Sequence, residues 1–157
     1  MSGALRIIAL TALLLGAIAL SACGGDGDRD AKNAYVSQLN AAQREFATNA
    51  SSVAQLGKSD SLGQYLRTLR RFENTIARFA STLRRINVPG VVQEEHKQLI
   101  GALTSYGKDF QKVTNVLDNP TARSLSEAQA ALMAATQRAN ARIEAAAAAI
   151  DSKLQAT

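Results

Sequence analysis

Tryptophan is absent from the 157 residues, cysteine and histidine occur once each, proline occurs twice, and aromatic residues make up 4%. Each scarcity excludes something. The single cysteine, Cys23, cannot form an intramolecular disulfide or a metal site needing two or more thiolates. Lacking Cys-x-x-Cys-His, the chain cannot attach a c-type haem, and with one histidine, His96, it cannot supply the paired Glu-x-x-His of a carboxylate di-iron bundle. A haem held by His96 and Met133 fails on distance, because antiparallel pairing of the helices sets the two about 18 Å apart along the axis. There is no Gly-x-Ser-x-Gly turn and no glycine-rich phosphate loop. Asp109, Glu127 and Glu144 are scattered, and Glu94 and Glu95 diverge by about 100° as helix neighbours. The sequence therefore names no catalytic residue, no metal ligand set and no cofactor, and it points away from an enzyme.

With few aromatics, the core must come from Leu, Ile, Val and abundant Ala, a composition suited to closely packed helices. The N-terminal stretch is of another kind. Met1–Arg6 carries one positive charge, and Ile7–Leu20 is an uncharged, apolar run with Thr11 its one polar residue, too short to span a bilayer comfortably. It is followed by Leu20-Ser21-Ala22-Cys23 and then by Gly24–Asp30, which holds three Asp and three Gly. The Leu-Ser-Ala-Cys stretch resembles the lipobox of bacterial lipoproteins. That resemblance implies cleavage before Cys23, a covalent lipid with acyl chains of the palmitate type joined to its sulfur through a thioether, and a cell-membrane anchor on the extracytoplasmic face. It also accounts for a lone thiol, since a thioether-linked lipid removes the reactivity of a free cysteine. The implied division is a signal peptide over 1–22, a lipidated Cys23 with a flexible tether over 23–30, and one domain over 31–157. Roughly 130 residues are enough for a single core.

That domain reads as four amphipathic helices of about 26 to 30 residues. Tyr35, Leu39, Ala42, Phe46, Val53 and Leu56 form the first apolar stripe, with Asp30 as its expected N-cap and Gly57 as its stop. Leu62, Tyr65, Leu69, Phe72, Ile76, Phe79, Leu83 and Ile86 form the second, opened by a Ser61–Gln64 capping box. Pro89 ends it, and Val92, His96, Leu99, Leu103, Tyr106, Phe110, Val113 and Leu117 form the third. After Pro120, a Ser124–Glu127 capping box leads into Leu125, Ala128, Leu132, Ala135, Ala139, Ile143, Ala146 and Ile150. Short turns between helices of similar length predict an all-α, up-down-up-down antiparallel four-helix bundle. The stretch Leu83-x-x-Ile86-x-x-Pro89 with His96-x-x-Leu99 resembles an arrangement in small helical proteins of unknown function from high-GC Gram-positive, actinobacterial-like sources; it implies no activity.

Two features stand out as binding candidates. Arg67, Arg71, Arg78 and Arg85 recur at steps of four and seven, opposite the second stripe, and so form an outward guanidinium row able to meet an anionic polymer, a lipid headgroup or an acidic protein. Nucleic acid is disfavoured, because no aromatic stacking residues are interleaved with the arginines. His96, on the inward stripe, is the candidate small-ligand or metal contact with Tyr35 at its level, and a Tyr35–His96 hydrogen bond is the structural alternative. The expected function is a membrane-anchored, non-catalytic binding or scaffolding module, with a His96-centred sensor as the alternative and an envelope role through self-association as a third reading. Near the tether, Arg84 and Arg85 favour anionic headgroups and Glu94, Glu95 and the tether aspartates oppose them, so orientation by charge is weak.

Overall fold

The computed structural model describes residues 26–51, 61–118 and 121–156. Four helices run in order: α1 (Asp26–Ala50), α2 (Leu62–Leu83), α3 (Gln93–Val116) and α4 (Ala122–Gln155). Helices consecutive in the chain pack closely against each other, α1 on α2, α2 on α3 and α3 on α4. The all-α four-helix bundle expected from the periodicities is the fold observed. No described helix is long and apolar enough to cross a membrane.

The core divides into two clusters along the bundle. At one end Tyr35 and Leu39 from α1, Phe79 and Leu83 from α2, Val92 and Leu99, and Ile150 and Leu154 from α4 pack together. At the other, Leu69, Phe72 and Ile76 meet Tyr106, Phe110 and Val113 and the alanines 128, 135 and 139. Each fully buried Leu or Ile contributes about 1.5–3 kcal/mol of burial free energy. Phe46 joins the two clusters, stacking on Phe79 at 4.7 Å between ring centroids and approaching Phe72 at 6.3 Å. Phe72 continues the aromatic chain edge-on to Phe110 at 5.1 Å, so all four phenylalanines lie in one connected row. The buried alanines of α4 fall at steps of seven, four and seven (128, 135, 139, 146), and their lack of side-chain bulk lets α4 approach α3 closely.

The helix ends differ from expectation in two places. The first helix begins at Asp26 rather than after an Asp30 cap, so residues 26–30, expected to be tether, are helical. Local electrostatics explain it: Asp28 sits in the first turn, where negative charge is favourable, and pairs with Lys32 one turn on at 3.1 Å. α4 begins at Ala122, which places Ser124 inside the helix and removes it as an N-cap. The Ser61 cap forms as expected, its hydroxyl accepting from the Gln64 amide at 3.2 Å. Residues 1–25 lie outside the described residues, and with them the signal peptide, Cys23 and the beginning of the tether; so do Val53, Leu56 and Gly57.

Between α2 and α3 the connection is tight, as Pro89 required. α2 gives out at Leu83, Arg85 and Ile86 turn back with amides donating to the Thr82 and Leu83 carbonyls, and a 3-10 turn over Gly90–Val92 enters α3 directly.

Candidate functional site

The Leu83 carbonyl is one of the last acceptors of α2, left without an intrahelical partner by the helix end. It accepts from the Ile86 amide at 3.1 Å and also from His96 Nε2 at 2.9 Å. A carbonyl can only accept, so Nε2 carries the ring proton and Nδ1 of the neutral imidazole is the acceptor. Tyr35 Oη fills that position, donating to Nδ1 at 3.0 Å. His96 is 3% exposed and Tyr35 is 0%. One imidazole thus ties α1, the end of α2 and the start of α3 together. The hydrogen bond expected between Tyr35 and His96 is present.

This geometry leaves the imidazole no lone pair for a ligand. Burial holds the His96 pKa below the ordinary histidine value, against a smaller upward pull from the Leu83 carbonyl, and burial pushes the Tyr35 hydroxyl up to about 12. Both groups are therefore neutral at physiological pH. Among the described residues, no three His, Cys, Asp or Glu side chains are grouped to hold a metal. Met133, the other residue weighed for a haem, is exposed on α4.

Charged groups missed by the stripe pattern surround this end of the bundle. Lys32 is 2% exposed and directs its ammonium to Asp28. Glu95 is buried and pairs with Lys153 near the end of α4 at 2.7 Å; that contact, more than any other, holds its carboxyl below the ordinary glutamate value. Its other oxygen, Oε2, is buried with no hydrogen-bond partner. Glu95 is therefore a helix-to-helix link rather than a surface charge opposing Arg84 and Arg85. Lys153 could have signalled it only through tertiary pairing, since the two lie 58 positions apart in the chain.

The second candidate is the outward side of α2. Residues 61–86 contain six arginines, no lysine and a single acid, Glu73, a surplus of five that equals the +5 of the whole chain. The rest of the sequence is balanced. Two of the six arginines are turned to internal use. Arg70 bonds Asp118 just past α3, and Arg84 donates to Thr104 Oγ1 at 3.0 Å. Glu73, the only acid, accepts from Thr114 on α3. What is left over is the predicted set. Arg67, Arg71, Arg78 and Arg85 are all exposed, and among the described residues none of them is in an ion pair. The Arg85 guanidinium donates to Thr82 Oγ1 at 3.3 Å. At 100° per residue Arg67, Arg71 and Arg78 lie within about 40° of one another around the axis, and Arg85 extends the row past Leu83 to a length of roughly 25 Å.

On the face between α3 and α4 charges are paired. Asp109 receives both Arg138 at 3.1 Å and Lys112 at 3.4 Å, and the Arg138 contact in particular lowers its pKa. The α2 row is set apart by density, with six arginines and a single acid in residues 61–86. No family model, curated protein or solved structure matches the chain.

Proposed function

We propose that the protein is an extracytoplasmic, membrane-anchored lipoprotein whose bundle is a non-catalytic binding module, held by an acyl chain on Cys23 and contacting its partner through the arginine row of α2. The observation that carries the binding part is the segregation of charge. A surplus equal to the chain's whole net positive charge sits in residues 61–86, α2 and the turn that follows it, where the fold uses Arg70 and Arg84 internally and the four arginines of the row have no acid among them. Such an array produces a local positive field far larger than a net charge of this size would produce if spread evenly. The anchoring part rests on Leu20-Ser21-Ala22-Cys23 and the apolar run before it.

Two measurements test the reading. Metabolic labelling with a fatty acid should mark the wild-type chain and leave Cys23→Ala unmarked, with the variant lost from the membrane fraction; a labelled variant would overturn the anchor. On an immobilised acidic matrix the R67Q/R71Q/R78Q/R85Q variant should elute at markedly lower salt than wild type. Elution together with wild type would remove the row as the contact surface. The sensor alternative centred on His96 draws no support from the geometry, because protein groups already engage both ring nitrogens.

A further inference from the structure

Resting on the reading of the α2 row as the contact surface, we infer that its partner is a linear, flexible polyanion bearing phosphate or carboxylate groups, bound lengthwise along α2, rather than a folded acidic protein.

Three features of the row favour this class. The first is the absence of an apolar anchor. Protein interfaces draw most of their affinity from a few buried aromatic or aliphatic side chains, ringed by polar ones. The residues between and beside the row's arginines are Gln64, Asn74, Ala77 and Ser81, and the large hydrophobics exposed on the described surface are Leu62, Val116 and Met133. Of these only Leu62 belongs to α2, and it lies about 140° around the helix from Arg67. Affinity at this face must therefore come from charge and hydrogen bonding. The second is the choice of arginine at all six basic positions of residues 61–86, whereas the basic residues elsewhere divide evenly between Lys and Arg. A planar guanidinium grips a carboxylate or phosphate with two parallel hydrogen bonds, which a lysine cannot do. The third is shape. By helix rise the four arginine positions fall on a line one residue wide and roughly 25 Å long, with Arg71, Arg78 and Arg85 at intervals of about 10 Å. A narrow line suits a chain-like ligand that settles charge by charge, and it offers little area to a folded partner, whose interface needs about 800 Å² on each side.

The test compares linear polyphosphate chains of graded length as probes, using the full-length protein in detergent at fixed salt. Wild-type affinity should rise with chain length until the probe spans about 25 Å and change little beyond that. Substituting all four row arginines by glutamine should weaken binding of the long probe about tenfold or more and flatten its salt dependence, since fewer counterions are exchanged. A matched variant, R44Q/K97Q/K108Q/R142Q, removes the same charge from exposed positions off the row and should bind nearly as wild type. Equal losses in the two variants would reduce the effect to net charge and overturn the inference. Binding that depends on the row but is indifferent to probe length, or that favours a helical Glu-rich peptide or phosphatidylglycerol vesicles over polyphosphate, would overturn the polyanion class and leave the row as a contact surface. Unchanged polyphosphate, peptide and vesicle binding by the row variant would remove both.

Discussion

At the scale of single residues, His96 shows how a side chain suited to chemistry can be consumed by structure. Its imidazole satisfies a carbonyl at the end of α2 and a buried hydroxyl on α1, and the folded protein resists charging it. Because the folded pKa lies below the unfolded one, the unfolded chain takes up the proton first. Stability is therefore complete above about pH 6.5 and falls as pH drops through that value, until the folded form also protonates. Glu95 and Asp109, both lowered in the folded state, add losses of the same sign that begin only below their unfolded values, near pH 4.5 and 3.8. Denaturant titrations from pH 7.5 to 5 should show declining stability, and His96→Gln, which does not titrate, should flatten the curve across that interval while lowering it throughout. Tyr35→Phe should cost about 1–2 kcal/mol, because Nδ1 is left buried without a donor. An unaltered unfolding midpoint in Tyr35→Phe would show the hydroxyl to be dispensable.

At the scale of the elements, α3 contains two glycines that its stripe does not need. A Cβ at Gly107 would meet Ile76 Cγ2 at 3.6 Å, an ordinary contact, and one at Gly101 would meet nothing within 4 Å. Both have negative φ, so alanine fits the backbone without strain. The double variant Gly101→Ala/Gly107→Ala should be more stable by about 1–2 kcal/mol, read as an increased unfolding midpoint. Much of this level was legible in the sequence. The Ser61 cap and the turn at Pro89 form where the sequence puts them, every residue of the third stripe is buried, and the second and fourth stripes are mostly buried, with Tyr65, Leu132 and Ile143 partly so and the Leu125 side chain outside what is described, because three-four periodicity follows directly from helix geometry. Three things were not legible. Leu62 opens the second stripe yet is 37% exposed, because it sits at the margin of the helix end. Thr136 lies off the fourth stripe but is buried, where it bonds the Tyr106 hydroxyl at 3.1 Å. The start of α1 was placed too late, since Gly and Asp composition argues against burial but not against an exposed helical turn held by Asp28 and Lys32.

At the scale of the whole molecule, α2 carries core packing on one face and the concentrated positive charge on the other. The four row arginines were identifiable from spacing alone, but the sequence could not show that Arg70 and Arg84 are drawn toward α3, which is what separates the row from an ordinary basic surface. Crowding like charges along one face has a cost that salt relieves within a Debye length of about 8–10 Å. Wild-type stability should thus rise by about 0.5–1 kcal/mol between 10 and 150 mM salt. The variant with all four row positions changed to glutamine should be nearly insensitive over the same range in thermal unfolding; equal salt responses would show that the arginines do not repel one another appreciably. The His96 junction has a mechanical meaning as well. A pull on the amino-terminal end of α1, opposed by a ligand gripping α2, loads the seam between two antiparallel helices. A polar cross-link that this load meets, at Tyr35 nine residues on from Asp26, runs from Tyr35 to His96 to the Leu83 carbonyl. It acts as a rivet that spreads tension into α3 before the α1–α2 seam can peel, so Tyr35→Phe should lower the force at which α1 detaches by more than its effect on equilibrium stability would suggest.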